Sequence, residues 1–174
     1  SDSCITSSQI KYDDYIREIY RIVKSLPGKK LVIKSHPSQI LKKFVKDLIN
    51  EIDPSIELVE NSINQELFNN CEMLITFNNS TTTLEAMSLN TPVISLQTEN
   101  WAKEDDIAQS DAIVSISKIN DCEDAIKKIL YDTEFKKSLL EKSQIFLKNY
   151  MSNPGNSSYT IIKLIKNLIN QNSL

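Results

Sequence analysis

The chain has 174 residues, of which 40% are hydrophobic and 25% charged, with a formal net charge of −3. That length closes one core of ordinary size, and the acidic balance excludes a nucleic-acid binder that works through a broad basic face. Three well-separated cysteines (Cys4, Cys71, Cys122) and a single histidine, His36, exclude a disulfide framework and a thiolate or histidine-rich zinc site.

Short apolar runs alternate with stretches of helical spacing, as a chain of βαβ units requires. Residues 4–6 predict a first short strand. Over residues 12–26, Tyr15, Ile16, Ile19, Tyr20, Ile22, Val23 and Leu26 recur at helical spacing until Pro27-Gly28 stops the helix. Leu31-Val32-Ile33 predicts a buried strand running into Lys34-Ser35-His36-Pro37, and residues 39–51 a helix. A strand over 56–59 and a short helix over 65–69 come next. Residues 73–76 predict a central strand, 84–89 a helix, 92–95 and 112–116 two further strands, and 122–131, 134–149 and 157–171 three closing helices. The expected class is α/β: a Rossmann-like, open parallel sheet with helices on both faces, in one domain spanning 1–174. No apolar run reaches the ~18 residues that cross a bilayer. Ser1, standing where an initiator methionine would, suggests a processed product or a fragment of a longer protein.

In such sheets ligands gather at the carboxyl ends of the strands, which directs attention to the loops after Ile33, Val59, Ile75 and Ser95. After the strand at 73–76, Asn79, Ser80, Thr81, Thr82 and Thr83 lead into a helix whose free amides attract anions. Glu85 lies one turn further on, in reach of ribose hydroxyls. A structural alternative competes, because Thr82-x-x-Glu85 also spells a capping box. His36, at another strand end, suits a phosphate oxygen or a proton transfer, although a cap on the next helix explains it as well.

Leu31-Val32-Ile33-Lys34-Ser35-His36-Pro37, Ile75 to Met87 with its polar Asn79–Thr83 turn and Glu85-Ala86, and Asn90-Thr91-Pro92-Val93-Ile94 together resemble the C-terminal domain of GT-B glycosyltransferases, especially those of surface-polysaccharide synthesis. The resemblance implies that Ser80, Thr81 and Thr82, beside Asn79, contact the phosphates of a nucleotide-diphosphate sugar. It implies that Glu85 binds the ribose, that Ile63 and its neighbours lie by the base, and that His36 is the catalytic candidate near the transferred group. It further implies a cytoplasmic enzyme with no bound metal or cofactor, an acceptor-binding N-terminal domain supplied elsewhere, and peripheral contact of the full-length enzyme with the membrane's cytoplasmic face. Asn90 stands where the family usually has glycine. Competing readings keep the fold and change the chemistry, to a UDP-sugar 2-epimerase or a CDP-glycerol-type phosphotransferase, or discard catalysis for an interaction domain.

Two segments carry weaker signals. Glu104-Asp105-Asp106 reads as a solvated loop that has room to touch donor-sugar hydroxyls. The last helix sets Ile161, Ile162, Leu164, Ile165, Leu168 and Ile169 beside Lys163 and Lys166. Packing on its own domain is the expectation, with a membrane surface or a partner as the alternatives.

Overall fold

A computed structural model describes residues 7–35, 39–60, 64–99, 104–151 and 155–171. The expected strand at 4–6, together with His36 and Ile63, lies outside the described residues. Helix α1 (Ser7–Ser25) leads into strand β1 (Val32–Lys34), α2 (Gln39–Ile52), β2 (Glu57–Val59) and α3 (Asn64–Asn69). Strand β3 (Leu74–Phe77), α4 (Thr81–Ser88), β4 (Val93–Leu96), the short α5 (Asp106–Gln109) and β5 (Val114–Ile116) follow. A 3-10 turn (Ile119–Asp121) opens α6 (Cys122–Tyr131), and α7 (Thr133–Tyr150) and α8 (Ser157–Gln171) complete the order.

The α/β expectation holds, with every strand pair parallel, but the pairing divides into two sheets rather than one: β1-β2 and β3-β4-β5. The smaller sheet is also the less buried. Val32 and Ile33 are half-buried and Lys34 is exposed, whereas all four β4 residues are buried. A parallel strand covered on both faces reads as an unbroken apolar run, and Pro92-Val93-Ile94 is such a run.

Side chains alternate across β4 and so divide the core. Ile94 and Leu96 join Tyr15, Ile19, Ile22 and Leu26 of α1 and Cys122, Ile126 and Ile129 of α6. Val93 joins Phe68 of α3, Ala86 and Met87 of α4, and Leu147 of α7. Helices therefore cover both faces of the central strand. Burial pushes the Cys122 thiol up to about 11, with the Glu18 and Asp121 carboxylates adding to the effect, so the group stays protonated.

Three local expectations change. The helix expected at 84–89 begins at Thr81, drawing the polar residues into its first turn. Asp105 is no loop residue: its carboxylate accepts from the Ile107 amide at 2.8 Å and caps α5. Helix α8 is exposed along its length, with Ile165 50% and Leu168 58% accessible, so it does not bury its apolar face in its own domain. No described helix is long and apolar enough to cross a membrane.

Candidate functional site at the carboxyl ends of the strands

Strand β3 ends in Asn78, a buried residue with φ +54°, a conformation that asparagine tolerates better than most side chains. Its amide donates to the Leu96 carbonyl at 2.9 Å, extending the β3–β4 ladder by one bond. Its Oδ1 accepts the amides of Thr98 at 3.0 Å and Glu99 at 3.3 Å, and its Nδ2 donates to Thr98 Oγ1 at 3.0 Å. The loop after β4 is thereby fastened to the loop after β3. Ser95 Oγ lies 3.0 Å from both the Asn78 carbonyl and Asn79 Oδ1, and accepts from Gln97 Nε2 at 2.9 Å.

That network turns the chain into α4. Ser80 is the N-cap in extended conformation, and its side chain makes no bond to the helix. Ser80 and Thr81 are exposed, Thr82 is half-buried, and Thr83 is fully buried. At the far end, Asn90 takes φ +57° while the Thr91 amide reaches back to the Ala86 carbonyl at 2.9 Å. Asparagine in the expected glycine position thus makes the left-handed helix end that the position demands.

The capping box does not form. Thr82 lies within the first turn instead of ahead of it, and Glu85 Oε2 accepts a hydrogen bond from Asn64 Nδ2 at the start of α3. Asn64 Oδ1 in turn accepts from Lys34 Nζ at the end of β1. A lysine, an amide and a carboxylate therefore connect the end of β1, the start of α3 and the first turn of α4. Glu85 is exposed, so its outer face meets solvent.

Buried polar atoms without a partner are rare in folded proteins, because desolvating them costs free energy. Among the described residues four side chains hold such an atom: Ser35 Oγ, Asn79 Nδ2, Thr83 Oγ1 and Gln97 Oε1. Ser35 follows β1, Asn79 follows β3, Gln97 follows β4, and Thr83 sits in the first turn of α4. All four belong to the carboxyl ends of the strands or the helix that begins there. At one of them, Gln97, a cleft of about 270 Å³ opens between α1 and the ends of β4 and β5, lined also by Lys11, Asp14, Tyr15, Thr98, Ser117 and Ile119. Two of its lining residues are joined where Lys11 Nζ donates to the Thr98 carbonyl at 2.7 Å. Burial raises the Tyr15 phenol above its ordinary range, with Cys122 and Asp121 adding to the effect, which keeps it a neutral donor at physiological pH.

Comparison with known proteins fits this arrangement. A model of the LIC12162 family transferases matches residues 2–114, a stretch that contains β1 to β4 and the whole strand-end corner. The chain belongs to the LIC12162 transferase family. Among solved structures it resembles a mutant of S. aureus TarM in complex with Fondaparinux, alpha-GlcNAc-glycerol and UDP, at 16% identity and a TM-score of 0.58. A second structure of TarM aligns at 17% identity and a TM-score of 0.54. Each alignment covers 97% of this chain and 34% of the other, so the chain spans about a third of the length of the structures it matches. No curated protein matches it. At such identities the likeness is one of fold, and it bears out the Rossmann-like expectation.

Of the residues expected in the site of this family member, Asn79, Ser80, Thr81, Thr82 and Glu85 come together at the β3–α4 corner. His36 and Ile63 fall outside the described residues, although their neighbours Lys34 and Asn64 are bonded to each other. Sequence reasoning missed Asn64, Gln97, Thr98 and Lys11, and gave Lys34 no part beyond its place in the Lys34-Ser35-His36-Pro37 turn. The strand-end rule does reach Gln97 and Thr98, which follow β4 directly, but nothing in their residue types sets them apart from an ordinary loop.

Proposed function

We propose that this chain is the nucleotide-sugar-binding domain of a GT-B-type glycosyltransferase of surface glycan synthesis, working on cytoplasmic donors. The observation that carries the reading is the α4 corner. A helix opens there with exposed hydroxyls and an N-cap side chain that is not spent on capping, next to Glu85 held in place by Asn64 and Lys34. Helix amides, the Ser80, Thr81 and Thr82 hydroxyls and the Lys34 ammonium offset the charge of a diphosphate. Glu85 accepts from the ribose, Asn79 orients the turn, Ile63 borders the base, and His36 stands by the transferred group. Such a leaving group needs no bound metal or other cofactor, since fixed dipoles and a cation already face it. The crystallisation of TarM with UDP supports a uridine nucleotide as the first ligand to try.

The acceptor-binding half is supplied by chain beyond this one, so the domain alone binds donor without turning it over. Isothermal titration with UDP, GDP and CMP, with and without EDTA, tests the reading. At least one nucleotide should bind, with EDTA making no difference. Absence of binding by all three would return the chain to the class of interaction domains, and dependence on a divalent ion would remove the metal-free account.

A further inference from the structure

Gln97 follows β4 directly and is fixed from several sides. Its amide donates to the Ile116 carbonyl at 2.6 Å, carrying the β4–β5 ladder one bond past the strands. Its side chain is buried, at 4% accessible, and Nε2 donates to Ser95 Oγ at 2.9 Å. The Ser95 hydroxyl has its own acceptors in the Asn78 carbonyl and Asn79 Oδ1, so it takes Nε2 on its oxygen. The next residue, Thr98, is held by the Asn78 side chain and by Lys11 of α1. This leaves Gln97 Oε1 buried and without a partner, at a cost in free energy. Gln97 also lines the cleft between α1 and the ends of β4 and β5. At about 270 Å³ the cleft falls below the roughly 300–1,000 Å³ of a site for a whole drug-sized ligand, and so has the size for one ring of a larger one.

We propose that Gln97 is a specificity-determining residue for the transferred sugar, its Oε1 accepting a hydrogen bond from a hydroxyl of that sugar. The proposal rests on the donor-site reading of the α4 corner. The missing partner must be a donor, which rules out the phosphates, whose oxygens only accept. Glu85, assigned to the ribose, is bonded toward α3 and β1, whereas Gln97 stands at the end of β4. Asn79, one residue ahead of the N-cap Ser80, shares Ser95 Oγ with Gln97, so Gln97 is two hydrogen bonds from the start of α4. A donor whose diphosphate sits at that helix start therefore extends its ribose to Glu85 and its sugar to Gln97. The rest of the lining suits a polyol, since Asp14 brings a carboxylate and Tyr15 and Ser117 bring hydroxyls. A site holding a buried acceptor discriminates against a ligand that lacks the matching hydroxyl, because the acceptor then stays unmet.

The test is isothermal titration of the full chain with UDP, GDP and CDP, each beside its glucose ester, and with UDP-N-acetylglucosamine and GDP-mannose. At least one sugar ester should bind about tenfold more tightly than its bare diphosphate. Gln97→Leu should erase that difference and leave the affinity for the bare diphosphate unchanged. Its unfolding midpoint should hold or rise, because an apolar group replaces an unmet acceptor. Ser95→Ala, which frees the Gln97 amide to turn, should cut the difference about threefold at the same diphosphate affinity, and it serves as the test if Gln97→Leu fails to fold. A difference that survives these variants gives Oε1 to a buried water and overturns the proposal. So does a joint fall in stability and diphosphate affinity, which marks a purely structural glutamine. Equal binding of ester and bare diphosphate by the parent chain overturns it too, while the donor-site reading stands. Failure of every nucleotide to bind overturns that reading and this proposal with it.

Discussion

The β3–α4 corner and helix α8 depart from ordinary burial in opposite directions. At the corner polar atoms are buried without partners, as at Thr83 and Asn79; along α8 large aliphatic side chains stand in solvent. Around β4 and α6 the usual partition holds, with Ile94, Leu96 and Ile129 inside, and charged residues such as Arg17 with Glu51 and Arg21 with Glu123 pair at the surface. Both departures cost free energy in the isolated domain. A domain retains such costs where it meets something else, so the contrast separates two kinds of contact: a polar, sheltered one for a small ligand and an apolar, open one for an extended surface.

The largest effect should come from testing that partition directly. Met87 on α4 is fully buried, so Met87→Ala should cost about 2–5 kcal/mol in denaturant unfolding. Ile165→Ala on α8 should cost no more than ~0.5 kcal/mol, because its side chain is already half in water. Comparable losses would mean that α8 packs against its own domain after all.

Next in size is Thr81→Asp, which separates ligand binding from folding by the sign of each effect. A carboxylate in the first turn of α4 faces the positive end of the helix dipole, so stability should hold or rise by ~0.3–1 kcal/mol. The same charge repels a diphosphate, and nucleotide affinity should fall about 100-fold in titration. If affinity and melting temperature move together, the corner is a structural cap and not a cradle.

Strand and helix identities were legible in the sequence because apolar spacing is set by burial, and burial is what the sheet and helix faces share. Thus Pro92-Val93-Ile94-Ser95 reads as a strand and one stands at Val93–Leu96, although the strand expected to be central, at 73–76, lies at the edge of its sheet and β4 takes the centre. The α4 start was misplaced by three residues because Thr82 and Glu85 imitate a capping box, a local signal that the tertiary contact to Asn64 overrides. Asn64 and Lys34 were beyond reach for the same reason: their roles depend on bringing β1, α3 and α4 to one edge, across separations of 30 and 21 residues in the chain. Helix α8 was misjudged for a different reason, since amphipathic spacing shows that a face wants cover and says nothing of what covers it.

A smaller effect sharpens the account of the corner. With no capping box, Glu85→Ala should change stability by less than ~0.5 kcal/mol, as for other exposed positions. Affinity for a ribonucleotide should nonetheless fall about tenfold through the lost acceptor, and the drop should shrink for the 2′-deoxy nucleotide. An equal drop for both sugars would place Glu85 away from the ribose. A drop in stability near ~1 kcal/mol would restore the capping role.

The least effect belongs to a group that shows neither departure. Asp53, following α2, accepts from the Tyr20 hydroxyl on α1 and from the Ser55 hydroxyl and amide, which lower its carboxyl from 3.8 to about 2, with Lys24 adding to the effect. Because the folded value is the depressed one, the ionised form favours the folded chain; its contribution is complete above about pH 4 and is lost as pH falls through about 2. The melting temperatures of the wild-type chain and Asp53→Asn should therefore differ at neutral pH and converge as pH drops from about 4 toward about 2. Nucleotide affinity should be the same in both, because a satisfied surface carboxylate lies outside the β3–α4 corner. Parallel melting curves across that interval would show that the Tyr20–Asp53 link contributes nothing to stability.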